Sequence, residues 1–257
     1  MDLGLENNVA IVTGGSKGIG YASGMSLLNE GAKVLICARN QDDLDKAVAS
    51  AGNQAEGRIK AIAADMSNVE DIKRVVDHCI STFGRVDILV NNAGSARMGK
   101  FTEITDDAWE ADWGLKFFGY VRMAREVFPH MEKQGKGVVI NIIGAAALHP
   151  EASYMVGGSA NLALNHFTKA LAKEGAPNNI RVVGINPGLI ATERMERRVQ
   201  LSNLPREQFL ADASPLGRPG KPEEIGDLVA FFASDRAGFV TGSNLTADGG
   251  ANPAIMG

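Results

Sequence analysis

Short, almost wholly apolar runs alternate along this chain with longer stretches whose apolar residues recur at helical spacing. The runs are "VAIVT" (9–13), "KVLICA" (33–38), "IKAIAA" (59–64), "DILVNN" (87–92), "GVVINII" (137–143), "IRVVGIN" (180–186) and "NLTADGG" (244–250). They are short and β-branched, so they read as strands. Strands that are apolar on both faces suit a parallel sheet covered on both sides. Helical patterns fall near 18–31, 41–51, 69–83, 106–134, 152–174, 192–212 and 222–233. Strict alternation predicts right-handed crossovers and a doubly wound α/β sheet, seven-stranded and mainly parallel, in one domain spanning 1–257. Ligands of such sheets sit beyond the carboxyl ends of the strands, so residues just after each strand are the site candidates. The longest strand-free segment, 187–243, would overhang that edge, with a lid at about 190–215.

Composition narrows the reading. The chain has 257 residues, 45% of them hydrophobic, which is ample for a large core. Its 26 basic and 30 acidic residues are nearly balanced, so nothing favours nucleic acid or an anionic membrane as a partner. No apolar run approaches the ~18 residues of a membrane span. The opening "MDLGLENNVAIVTGG" does not read as a secretory signal. Cys37 and Cys79 make no disulfide framework and read as buried thiols, so a cytoplasmic location is expected. No metal site is expected.

The first strand is followed by "TGGSKGIG" (13–20) and then a helix. Glycines allow a tight turn and close backbone approach, and the helix N-terminus offers free N–H groups to a pyrophosphate. The candidates are Gly14, Ser16, Lys17, Gly18, Ile19 and Gly20. Where a protein that takes NAD often has an acid after the second strand, this chain has Ala38 and Arg39. Lys17 and Arg39 together suit a 2′-phosphate, which favours NADP (NADPH) over NAD.

These residues, with "NNAG" (91–94), Tyr154 heading a helix, "NPG" (186–188) and "VTGSNLTADGG" (240–250), resemble the short-chain dehydrogenases/reductases over essentially the whole chain. The resemblance implies a single Rossmann-like domain of the classical-length, NADP-preferring type. It places Asp65 and Met66 beside the adenine, and Asn92, Ala93 and Gly94 beside the ribose. It places Pro187, Gly188 and Thr192 at the nicotinamide end. It also implies a homo-oligomer, tetramer or dimer, built on the helices at 106–134 and 152–174.

The family's usual serine, tyrosine, lysine and asparagine are not all present. Gly144 stands at the serine position, Gly158 at the lysine four residues after Tyr154, and Lys116 at the asparagine. A tyrosine has a free pKa of about 10, and a nearby cation favours its phenolate. Two unit charges ~4 Å apart interact by about 4 kcal/mol at an effective dielectric of ~20, so a lost cation matters. The expectation is that the cation has moved to Lys116 on the facing helix, with Gly158 clearing space for its ammonium and an apolar neighbourhood lowering its pKa. The plain alternative is a Lys116 that snorkels to solvent and a Gly158 that only lets helices pack. Ser95, Ser153, Asn141 and His149 all stand as donors for the missing serine. Arg194, Arg197 and Arg198 in "TERMERRVQ" suit an anionic substrate but read better as a solvated helix face.

The leading functional expectation is an NADP-dependent oxidoreductase that interconverts a small-molecule ketone or aldehyde with an alcohol. Tyr154 would be the acid/base and Lys116 its cationic partner. A cofactor-binding protein without redox turnover and a redox-neutral enzyme on the same fold are the alternatives.

Overall fold

The computed structural model describes residues 2–52, 55–202 and 204–253. The apolar runs form β1 (Val9–Thr13), β2 (Lys33–Ala38), β3 (Ile59–Ala63), β4 (Ile88–Asn91), β5 (Gly137–Ile142), β6 (Ile180–Pro187) and β7 (Asn244–Ala247). They make one seven-stranded sheet of order β3-β2-β1-β4-β5-β6-β7, and every pairing is parallel. Side chains alternate between its faces. Ala10 and Val12 join one core with Val34, Ile36 and Ile140, while Val9 and Ile11 join the other with Leu35, Leu89 and Val139.

The first core is closed by α1 (Gly18–Asn29), α2 (Gln41–Ser50) and α9 (Pro222–Ala233), which contribute Leu27, Leu44 and Val229. The second is closed by α3 (Val69–Phe83), α5 (Gly119–Gln134) and α6 (Met155–Gly175), which contribute Ile72, Val127 and Ala172. Local chemistry sets the ends of α3. Asn68 accepts from the N–H groups of Glu70 and Asp71, and Gly84 at φ 81° ends the helix in a left-handed conformation. Cys37 and Cys79 are free and buried, and burial pushes both thiols up to about 12. Among the described residues no helix is long and apolar enough to cross a membrane.

Two helical stretches differ from the expectation. The stretch at 106–134 is α4 (Asp106–Trp113) and α5 joined by one π turn, Gly114–Phe118, which carries Lys116. Such turns insert an extra residue and re-aim the side chains around them. The stretch at 192–212 is two helices, α7 (Glu193–Ser202) and α8 (Arg206–Ala213). Pro205 stands at the start of α8, where it lacks the N–H that a continuous helix would need.

Helices α1 and α9 pack so closely that a Cβ on Gly226 would stand 2.6 Å from Ser26 Oγ and 2.8 Å from the Ala22 carbonyl oxygen. Backbone cannot yield to a branched side chain there. Gly226→Val should lower unfolding stability by about 1–3 kcal/mol, read by chemical denaturation. An unchanged midpoint would mean that the two helices can separate at no cost.

Candidate active site

The strand order reverses beside β1, whose neighbours are β2 on one side and β4 on the other. The loops after β1 and β4 therefore part and leave a crevice at the carboxyl edge. Hydrogen bonds fix its floor. Thr13 Oγ1 accepts from the N–H groups of Asn92 (2.9 Å) and Ala93 (3.0 Å), and Asn92 Nδ2 donates to the carbonyls of Thr13 (2.9 Å) and Gly14 (3.1 Å). Gly14 at φ 64° and Gly18 at φ 55° are left-handed, where glycine is favoured. A Cβ on Gly14 would stand 2.8 Å from Asn92 Nδ2, and one on Gly20 would collide with the Gly14 carbonyl. The loop is thus a cradle of bare backbone, with Ser16 half-buried inside it and Ile19 lining the space above.

The residues expected at the adenosine end lie along the same edge. Lys17 is exposed and pairs with Asp43 of α2 at 3.0 Å. Arg39 follows β2 and is exposed. Asp65 follows β3, where its Oδ1 accepts from the Ser67 N–H and Oγ, both at 2.8 Å. Met66 is buried against Cys37.

At the other end, a cleft of about 710 Å³ opens between the strand edge and α7. Ala93, Gly94, Pro187, Gly188 and Thr192 line it, as do both Tyr154 and Lys116. Lys116 is buried, and its Nζ donates to the carbonyls of Ile142 (3.1 Å) and Ile143 (2.9 Å) and to Tyr120 Oη (3.3 Å). Tyr120 Oη in turn donates to Ile142 O at 2.7 Å. Burial, and next the charge of Arg194, push the Lys116 ammonium down to about 7. Burial holds the Tyr120 phenol well above its usual range.

The hydroxyl of Tyr154 is held by Arg194, whose Nη2 donates to it at 2.7 Å and whose guanidinium lies 5.6 Å from the ring centroid. This corrects two expectations. Lys116 makes no hydrogen bond to Tyr154, because carbonyls and Tyr120 take its donors. Arg194 is not simply part of a solvated helix face, although Arg197 and Arg198 do pair with Glu193 and Glu151. The glycines also have different work. A Cβ on Gly158 would meet only the Ala146 carbonyl, at 3.3 Å. Gly157 makes room for the Tyr154 ring, on which a Cβ would fall. The stem of Lys116 is accommodated by Gly94, where a Cβ would stand 2.5 Å from Lys116 Cδ.

Of the donors considered for the missing serine, Asn141 is spent. Its Nδ2 donates to Thr168 Oγ1 at 2.9 Å and its Oδ1 accepts from Asn91 at 3.0 Å. Ser153 is exposed, and Ser95 and His149 are exposed at the cleft wall. Asn161, two turns after Tyr154 on α6, escaped the sequence reading. Its signal was weak, because the buried stripe of α6 also carries the polar Asn165 and Thr168. It is 2% exposed and lines the cleft beside Gly144.

A family model described as enoyl-(acyl carrier protein) reductase matches residues 14–252. A Caenorhabditis elegans protein, dehydrogenase/reductase SDR family member 4, is 35% identical, with 97% of each chain covered. L-Sorbose reductase from Gluconobacter frateurii, solved with NADPH and L-sorbose, superposes with a TM-score of 0.94 at 33% identity, covering 99% of this chain and 100% of that one. An NADPH-bound short-chain oxidoreductase from Pseudomonas aeruginosa PAO1, described as containing an atypical catalytic center, gives 0.89 at 32% identity, covering 97% and 100%. With the parallel sheet, the glycine cradle and the tyrosine at the cleft all in the same chain, these likenesses establish an oxidoreductase that belongs to the short-chain dehydrogenase/reductase family.

Proposed function

We propose that this chain uses NADP(H) to interconvert a ketone or aldehyde with an alcohol, with Tyr154 as the acid/base. One observation carries the reading. The Tyr154 hydroxyl faces the cleft with a guanidinium already donating to its oxygen. That bond uses one lone pair and leaves the phenolic O–H free to donate to a carbonyl oxygen in the cleft. The fixed positive charge then stabilises the phenolate left when the proton departs.

The crevice fits the dinucleotide, because the cradle has no room for side chains at Gly14 and Gly20, is left-handed at Gly18, and exposes the start of α1. Lys17 and Arg39 would take the 2′-phosphate, and Asn92, Ala93 and Gly94 the ribose. Pro187, Gly188 and Thr192 would hold the nicotinamide, which supplies or accepts the hydride when bound. NADPH in the sorbose reductase and in the Pseudomonas oxidoreductase supports this choice. Helices α7 and α8 act as the lid, so closing it brings Arg194 to Tyr154. Lys116 serves as a second cation in the cleft wall that gains or loses a proton near neutral pH. Phe118 and Leu162, exposed on the long-helix pair, would be covered in a homo-oligomer. A cytoplasmic setting agrees with two unoxidised thiols.

The absence of serine and lysine from positions 144 and 158 favours a second reading, a protein that binds NADPH without turnover. NADPH consumption over a panel of ketones, aldehydes and diketones separates the two. Tyr154→Phe should lower kcat at least 100-fold, and Arg194→Ala at least tenfold, with NADPH affinity by fluorescence unchanged in both. NADPH binding by the wild-type protein with no turnover on any carbonyl would leave the second reading standing.

The cofactor assignment is checked at Arg39. Arg39→Ala should weaken NADPH binding at least tenfold and leave NADH binding within twofold of its starting value. Equal losses for both would remove Arg39 from the 2′-phosphate.

Lys116 makes a prediction about pH. Its folded pKa lies near 7 against the usual 10.5, so between those values the unfolded chain binds more protons. Stability therefore rises with pH across that window, by up to about 1.4 kcal/mol per unit from this group. The cost of burying the ammonium is present in full below pH 7. Denaturation of wild type and Lys116→Met at pH 7 and pH 9 should show a gain for the wild type that the variant lacks. Parallel curves would mean that the buried amine stays charged.

A further inference from the structure

Among the described residues α6 carries two buried asparagines with an unpartnered Oδ1, Asn161 and Asn165, and of the two Asn161 is the one that lines the cleft. Its Oδ1 is buried without a hydrogen-bond partner among the described residues, and the residue is 2% exposed. An unpaired buried amide opposes folding, whereas an apolar side chain at the same place on the helix would carry no such burden. The other end of the amide faces the cleft wall. Asn161 Nδ2 lies 2.9 Å from the place a Cβ on Gly144 would occupy, with Cγ at 3.8 Å. A side chain at 144 would therefore collide with the amide nitrogen. Gly144 itself sits at φ 131°, a conformation that side-chain-bearing residues rarely adopt. The serine position has been emptied, and an amide stands where the serine's side chain would begin.

We propose that Asn161 Nδ2 is the hydrogen-bond donor that polarises the substrate carbonyl, in place of the serine hydroxyl. The inference rests on the oxidoreductase reading above. Asn161 transfers nothing itself. In reduction the carbonyl π bond breaks, a hydride reaches the carbon, and the oxygen takes the Tyr154 proton. The Nδ2 donor stabilises the negative charge that gathers on that oxygen as the hydride arrives. Lys116 backs the same wall from behind, because it holds the carbonyls of Ile142 and Ile143, the two residues before Gly144. Asn141 cannot compete for this role because both ends of its amide are engaged. Ser95 and His149 are exposed, and neither is fixed in place as the buried Asn161 is.

The test is steady-state NADPH-dependent reduction by wild type, Asn161→Leu and Asn161→Asp. NADPH affinity is measured by fluorescence titration and Tm by thermal unfolding. Leucine keeps the branching but has no donor. Aspartate keeps the shape and, when ionised, only accepts. Loss of one such donor is expected to lower kcat by about 10²–10³-fold. KM and NADPH affinity should stay within about threefold, and the Tm of the leucine variant should be unchanged or raised. A kcat within tenfold of wild type in a folded variant overturns the proposal. So does a loss that tracks a falling Tm and weakened NADPH binding, which is what a structural asparagine would give. If the leucine variant does not fold, the near-isosteric aspartate variant decides by the same criteria. A wild type without turnover on any carbonyl removes the reading on which this rests. An active wild type with active variants removes Asn161 alone.

Discussion

The arrangement depends on the parting of the β1 and β4 loops at the carboxyl edge of a parallel sheet. Strand order reverses there, so the crossovers leave on opposite faces and cannot cover the gap. An open gap would strand backbone polar groups. Thr13 and Asn92 answer this with side-chain bonds between the two loops, which hold the crevice at a fixed width. Bare glycine backbone on one wall and the head of α6 on the other then face the same space.

Into that space the fold brings two cations of different character. The guanidinium of Arg194 comes from α7, which is not part of the sheet, and is exposed while it donates to Tyr154. The ammonium of Lys116 is buried in the wall and feels both desolvation and the charge of Arg194, so it sheds its proton near neutrality.

Three glycines share one role here. Gly157 clears room for the Tyr154 ring, Gly94 for the Lys116 stem, and Gly144 for the Asn161 amide. The Gly157 pairing is local to the head of α6, whereas the other two exist only once α6, the π turn and the loops after β4 and β5 are assembled. An alanine at any of the three would displace a functional side chain rather than simply crowd the core.

The period of the apolar pattern was enough to reveal the strands, the α/β class and the edge where ligands bind. Burial on both sheet faces imposes near-continuous apolar runs, and these are visible without coordinates. The glycine loop was legible because local backbone geometry demands glycines at fixed spacing, while Tyr154 became a candidate through the resemblance to the family's tyrosine. The break between α7 and α8 needed closer attention to Pro205. The partners within the site lie beyond sequence reading. Arg194 stands 40 residues from Tyr154, and its cluster looks like any solvated helix face until α7 is folded over the cleft. Lys116 could be placed near the site but not aimed, since a flexible stem goes where acceptors await it, here the carbonyls at the end of β5. Chain spacing dictates which backbone shapes form. Which side chains then meet across elements is decided by distances that only the packed structure creates.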